Sequence, residues 1–436
     1  MSGGGGTTHL IDTYKTTLVR RLTPWALRQF LWGLQFFLRD DPTKELKALN
    51  FQRRAAVRYL YRAYTRDTVW TTIFIPSELL YAMDVIPFPL EVIAALYTNF
   101  GLAPKSLLES DSQDIPTDVC SLYKLALGCG FRGLLPEPIL LAGNTVLCDS
   151  GMKSMNVSES LTGKRLVTLN VPMEVTEETV AYVARQLEYL VEVLEEVTGR
   201  RLEIESLRKT FECSNRTREL MLKVNDLRTN PASPLKGSSA LDFMLSSHVL
   251  LGSEDGEEFY ARLAQELREA VASREKSPDY KNAGDELRIL WLEGKHYFSQ
   301  ELMSFIQDKL GLRIVFEEQN YVYWDALDIN NPYESLAKKL ISIHWNGPTE
   351  RRVGIVKQLA EKYKTDGIIL FSQWGCRRNN AQVPAIKREL ERAGYPLLSL
   401  DGDYVDKGSY MPGQFATRIE GFSEMLREKK KARVVT

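Results

Sequence analysis

The 436-residue chain is poor in cysteine and histidine, with five of the first and four of the second. An odd, small number of cysteines in so long a chain excludes a disulfide framework. It points to a reducing compartment, where cysteines act as free thiols or metal ligands. An excess of charge is also missing: 56 Lys and Arg stand against 57 Asp and Glu, a net charge of −1. Neither a basic nucleic-acid surface nor an acidic solvating tail is expected. No uncharged apolar run approaches the ~20 residues of a membrane span. The most apolar stretch, 71–97, is interrupted by Pro76, Pro87 and Pro89 and by Glu78, Asp84 and Glu91. Met1 to Gly6 is glycine-rich and lacks the apolar core of a secretory signal. These absences predict a cytoplasmic protein. The Walker A, H-E-x-x-H, G-x-S-x-G and C-x-x-C patterns do not occur, so the familiar signatures of phosphate loops, zinc proteases, serine hydrolases and dithiol redox sites are missing.

What is present is ordinary globular composition, 44% hydrophobic and 26% charged, in a length that suggests two or three domains. Residues 1–66 read as a helical N-terminal segment, with Trp25, Leu27, Phe30, Leu31, Leu34 and Phe37 near a 3.6-residue period. Residues 67–175 mix strands and helices and read as a first α/β domain. Its β-rich runs are 69–75, 139–147 and 165–171. Residues 176–284 read as a helical linker region, with Thr176 as an N-cap and a loop at 230–237. Residues 285–436 alternate strongly: strands at 287–292, 313–316, 367–371 and 397–400 are separated by helical patterns. Such alternation implies right-handed βαβ units. The fold class is therefore α/β, with two open parallel-sheet, Rossmann- or flavodoxin-like domains and helical N-terminal and linker segments.

Several motifs are dismissed. Gly128-Cys129-Gly130-Phe131-Arg132-Gly133 matches G-x-G-x-x-G, but a helical pattern precedes it, whereas a dinucleotide loop follows a strand. Gly128 is better read as a helix C-cap. Asp401, Asp403 and Asp406 lack the Gly and Glu spacing of a calcium loop and read as a solvated strand end. His9 lies in a tail, His248 in an apolar helical setting, and His296 after the first strand of the second domain, where a structural role outweighs an acid–base one.

Three cysteines stand apart. Cys148 and Cys376 each follow an apolar strand, where open α/β sheets bind ligands. Cys120 opens a helix, which favours the thiolate. Two readings remain open from position alone: three buried, inert thiols, or ligands converging from two domains on an iron–sulfur cluster with one iron left open. Cys129 and Cys213 lie within helical patterns and carry no such signal.

The words around these cysteines add a resemblance. Phe74-Ile75-Pro76-Ser77-Glu78-Leu79-Leu80-Tyr81-Ala82 is similar to a P-x-E-L-L-x-A block. Asp118-Val119-Cys120-Ser121 is followed by Tyr123-Lys124. Cys148-Asp149, then Gly151 and Lys153, is similar to C-D-G-x-x-K, with Ser150 inserted. Gly413-Gln414-Phe415-Ala416-Thr417-Arg418-Ile419-Glu420-Gly421-Phe422 is similar to G-Q-x-x-T-R-x-x-A-F. In order and spacing over most of residues 68–427, the chain resembles the 2-hydroxyacyl-CoA dehydratase D-component family, which includes benzoyl-CoA reductase subunits. The resemblance implies a 4Fe–4S cluster held by Cys120, Cys148 and Cys376 with one open iron. It also implies a paired subunit, either a paralogue or a second copy, and a separate ATP-dependent iron–sulfur activase that delivers one low-potential electron. The implied reaction makes a ketyl radical of a 2-hydroxyacyl-CoA thioester, which expels the hydroxyl. Reduction of an activated acyl-CoA, or a non-catalytic electron-relay role, are the rival expectations. Five cysteines argue against the related double-cubane reductases. Glu78 is the carboxylate expected to act as acid or base, against the alternative of a helix-start acid. Ser121, Asp149, Lys153, Gln414, Thr417 and Arg418 are expected around the cluster or the substrate, with Arg418 as a partner for a coenzyme A phosphate or a brace between domains.

Overall fold

The structure, a computed structural model, describes residues 24–277 and 286–435. Its eight strands form two four-stranded sheets in which every pairing is parallel. The first contains β1 (Thr68–Thr71), β2 (Ile86–Pro89), β3 (Leu140–Asn144) and β4 (Leu166–Leu169), in the order β2-β1-β3-β4. The second contains β5 (Leu287–Leu292), β6 (Leu312–Glu317), β7 (Gly367–Gln373) and β8 (Leu397–Gly402), in the order β6-β5-β7-β8. The two orders are the same. Parallel pairing demands crossover connections, and helices supply them. Helices on both faces also explain why β7 is apolar without alternation and buried throughout. The expected pair of open α/β sheets is therefore observed. In each, the chain leaves the central strand for one edge and returns to the other side. That reversal opens a crevice at the carboxyl ends of β1 and β3, and of β5 and β7.

One strand escapes the sequence pattern. β2 reads Ile-Pro-Phe-Pro, which composition marks as a turn. It is an edge strand, where proline's missing N–H removes no ladder bond on the outer side. The N-terminal segment is helical at 24–37 and at Lys47–Ala63, with a break between. Its first 23 residues, with His9, lie outside the described residues. Along 24–37, Leu27, Leu31 and Leu34 face the core, while Trp25, Phe30, Trp32, Phe36 and Phe37 remain exposed.

The middle region is helical at Glu177–Thr198, Ile204–Leu227 and Glu254–Glu275. Thr176 caps the first of these through the Thr179 amide. One apolar core runs from the first sheet through the first two of these helices to one set of side chains of the second sheet; the third helix builds a separate cluster with Leu49, Phe243 and Trp324, and the remaining side chains of the second sheet a third one.

Gly128 is not a C-cap. It lies inside the helix Ser121–Phe131, and a Cβ there would fall 1.8 Å from the Ser106 carbonyl oxygen. Glycine lets the helix Ala103–Ser112 lie directly against it. The left-handed residue that closes the helix is Gly133, at φ +67°.

Candidate active site

Each of the three singled-out cysteines is the residue immediately before a helix. Cys120 opens Ser121–Phe131, Cys148 opens Asp149–Thr162 and Cys376 opens Arg377–Arg392. Each sulfur accepts from amides of its own first turn: Leu122 and Tyr123 for Cys120, Gly151 for Cys148, Asn379 for Cys376. Helix ends of this kind favour anionic sulfur. Burial works in the opposite direction and wins. It pushes the Cys148 thiol up to about 12 and raises Cys120 and Cys376 as well. The Cys120 and Cys148 thiols are raised further by charge on Cys376. The helix start at Cys120 favours the thiolate as expected, but desolvation outweighs it while no cation is present.

The two sheets meet here through small residues and one polar knot. A Cβ on Gly375 would fall 2.7 Å from both the amide nitrogen and the Cα of Cys120. Glycine before Cys376 therefore lets that strand end touch the start of the Cys120 helix. Within the first half, a Cβ on Gly151 would meet the Tyr123 hydroxyl at 2.7 Å, so the Cys120 and Cys148 helices also touch through a glycine. Ser121 Oγ donates to Asp403 Oδ1 at 2.8 Å, and Gln373 Nε2 donates to Ser121 Oγ at 2.7 Å. Asp403 also accepts from the amides of Val405 and Asp406. It is buried, so the solvated reading of this strand end fails for it: Asp403 ties the loop after β8 to the first half of the chain.

Cys120, Cys148 and Cys376 line one cavity of about 290 Å³. Its wall is chiefly apolar, with Phe74, Leu122, Met244 and Trp345 among its members. Three cavity residues hold left-handed backbone: Phe74 (φ 72°), Leu147 (φ 78°) and Glu293 (φ 70°). Bulky residues rarely tolerate this region, and such strain gathers where a site is built. Six charged side chains belong to the wall besides the thiols: Glu91, Asp242, Glu293, Arg378 and, at the end formed by the N-terminal helix, Arg53 beside Lys44. Glu91 is buried, accepts from Tyr123 Oη at 2.6 Å and from the Ile73 amide at 2.8 Å, and leaves Oε2 without a partner among the described residues. Burial raises its carboxyl above the ordinary range. Sequence reasoning missed Glu91, Glu293 and Arg378.

The remaining expected residues are scattered. Glu78 is fully buried at the start of the helix Ser77–Ala82, where Lys339 Nζ at 2.6 Å and Ser214 Oγ at 2.7 Å both donate to Oε1. It is not a wall residue of the cavity, and its surroundings are those of a buried ion pair. Asp149 and Lys153 are exposed on the Cys148 helix. Gln414 and Thr417 are exposed at the start of the last helix, and Thr417 bonds the Gly413 carbonyl. Arg418 donates to Asp401 Oδ2 and to the Ser399 carbonyl, within its own half and away from the cavity. His296 is neutral and structural: Nδ1 meets the Asp403 carbonyl at 2.5 Å, and aromatic rings enclose it. Among the described residues no three His, Cys, Asp or Glu side chains approach closely enough to share a single metal ion. Nor is any helix there long and apolar enough to cross a membrane.

The family model for the 2-hydroxyglutaryl-CoA dehydratase D-component matches residues 72–426. The chain belongs to this family. Within it, the chain is 20% identical to the (R)-phenyllactyl-CoA dehydratase alpha subunit of Clostridium sporogenes, over 90% of this chain and 99% of the relative. It is 23% identical to the (R)-2-hydroxyisocaproyl-CoA dehydratase alpha subunit of Clostridioides difficile, over 84% and 91%. It is 22% identical to a subunit of the benzoyl-CoA reductase of Thauera aromatica, over 89% and 94%. These relatives indicate a component of an acyl-CoA dehydratase or of a benzoyl-CoA-reductase-like enzyme.

Proposed function

We propose that the chain is the iron–sulfur subunit of an oxygen-sensitive 2-hydroxyacyl-CoA dehydratase, with Cys120, Cys148 and Cys376 holding a 4Fe–4S cluster that keeps one iron open. The observation that carries this reading is the convergence of three thiols, from both halves of the chain, on one cavity. The donor set fits the group. Burial keeps the three sulfurs protonated in the absence of a cation, aided by charge on Cys376 at Cys120 and Cys148 and by Glu293 at Cys376, and a metal cluster supplies the charge that lets them ionise together. A cluster also spreads its ligands over several irons, which agrees with thiols too far apart for a single ion. When bound, it supplies a low-potential electron and a Lewis-acidic iron.

The chain's own residues do the rest. The apolar wall excludes water and accepts the acyl group of a thioester. Lys44 and Arg53 put positive charge at one end, where a coenzyme A phosphate enters. Glu91 Oε2, raised and unpartnered, holds or takes the proton that dehydration moves. Glu78, already bonded to Lys339, is the weaker choice for that role. Relatives named as alpha and beta subunits support a paired subunit here, and the exposed aromatic face of residues 24–37 supplies a surface for one. The absence of a Walker A pattern agrees with ATP being handled by a separate activase.

Iron and acid-labile sulfide are measured after anaerobic purification of the wild type and of Cys148→Ala. About four irons per chain, lost in the variant, support the reading. A folded, iron-free wild type that resists reconstitution removes it. The similarity to a component of benzoyl-CoA reductase favours a second reading, reduction of an activated acyl-CoA. Turnover of a 2-hydroxyacyl-CoA against benzoyl-CoA with the activase present separates the two.

A further inference from the structure

Arg378 stands two residues beyond Cys376, in the first turn of the helix Arg377–Arg392, and belongs to the wall of the cavity. Its side chain is 15% exposed. Glu293 accepts from Nη2 at 3.1 Å, while Nε and Nη1 have no acceptor among the described residues. A guanidinium in so enclosed a place normally has all its hydrogens satisfied, and each one left over is destabilising. The group is also held in place. Glu293 sits on strained backbone just past β5 and accepts from Arg352 Nη2 at 2.8 Å. Arg352 in turn grips both oxygens of Glu318 at 2.7 Å and Asn379 Oδ1 at 2.9 Å. The four charges balance, so Arg378 is anchored on one side and open on the side of the cavity.

We propose that Arg378 is a substrate-binding residue whose free Nε–H and Nη1–H groups donate to oxygens of the acyl head, the thioester carbonyl and the neighbouring 2-hydroxyl. The inference rests on the acyl-thioester reading of the cavity. It adds the residue that recognises the reacting end, a cation with two unpaired N–H groups two residues from Cys376. Glu293 and Arg352 are positioning residues that fix the guanidinium before substrate arrives, which lowers the ordering cost of binding.

The test is calorimetric binding of (R)-2-hydroxyisocaproyl-CoA and of free coenzyme A to the anaerobically purified chain. Wild type is expected to bind the thioester more tightly than coenzyme A. Arg378→Gln is expected to bind the thioester roughly 10- to 100-fold more weakly, with coenzyme A affinity and iron content unchanged, the size of a lost charge-assisted hydrogen bond. Arg378→Lys, which keeps the charge but not the planar donor set, is expected to lose about tenfold. It serves alone if the Gln variant does not fold. An unchanged thioester affinity in both variants overturns the proposal, and a shifted cluster potential in that case assigns Arg378 to the cluster instead. A wild type that does not distinguish the thioester from coenzyme A overturns the underlying acyl reading, and this proposal with it.

Discussion

Ser121 Oγ and Asp403 Oδ1 lie 2.8 Å apart although 282 residues separate them in sequence. The bond is buried, shared with Gln373, and set directly beside Cys120. Together with Arg377–Asp118 and Lys339–Glu78, it is a polar clasp that holds the two halves together behind the cavity.

Ser121→Ala therefore leaves a buried carboxylate short of a donor. A loss of about 1–3 kcal/mol in unfolding free energy is expected, read by urea denaturation. Faster iron loss on exposure to a chelator is expected alongside it, because the clasp fixes the relation of Cys120 to Cys376. Asp403→Asn keeps Oδ1 as acceptor for Ser121, Val405 and Asp406 but sets its amide nitrogen against Gln373 Nε2, which now bonds Oδ2. Unchanged iron retention in both would show that the clasp does not set the ligand geometry.

Gly375→Ala puts a methyl 2.7 Å from the Cys120 backbone. Neither partner is a flexible side-chain end, so the two halves must separate. The expected outcome is a soluble chain with sharply reduced iron and sulfide, whereas Gly421→Ala, where a Cβ meets nothing within 4 Å, leaves both at the wild-type level.

Glu91→Gln keeps the shape and the acceptor for Tyr123 but removes the titrating proton. Turnover is expected to fall about 10²- to 10⁴-fold, with the cluster spectrum and iron content intact. Glu78→Gln serves as the contrast. It leaves Lys339 as an unpaired buried charge, so its main effect is expected in thermal stability, not in turnover per folded cluster. Equal turnover defects per folded cluster in the two variants would return Glu78 to candidacy.

His296 is held neutral, its value lowered to about 4 by burial among aromatic rings. Unfolding restores the ordinary value near 6.5, so the unfolded chain binds more protons between those two limits. Stability is full above about pH 6.5 and is lost as pH falls toward 4, by up to about 3 kcal/mol. His296→Asn is expected to lower stability at pH 7.5 and to flatten its decline between pH 6.5 and 4.5, as followed by denaturant melts.

The second sheet is fully legible in the sequence because β5, β7 and β8 are short apolar runs separated by helical periods, and burial on both faces writes that pattern directly. β2 is illegible because prolines stand where a strand's amides are expected, and its edge position is a tertiary fact. Sequence places the three cysteines correctly at strand ends and helix starts. Their desolvation is hidden from it, since it depends on what the second half lays over the first. The two acids teach the same lesson more sharply. Glu78 follows Pro76 and Glu91 follows Pro89, each in the first turn of a helix. Local sequence cannot rank them. Only the packing of the helices Ile204–Leu227 and Pro332–Ile341 against the first, supplying Ser214 and Lys339, shows that Glu78 is paired with a cation while Glu91 lines the cavity with neutral donors. Gly128 misleads for a related reason, as its partner Ser106 lies on another helix.

On the ribosome, Cys120 and Cys148 emerge while most of the chain is still to be made. Until Gly375 and Cys376 arrive to lean on the Cys120 helix, the first half carries two thiols facing solvent with no roof above them. A group that needs all three thiols can therefore be held only once Cys376 has joined the other two, so the vessel closes late in the life of the growing chain.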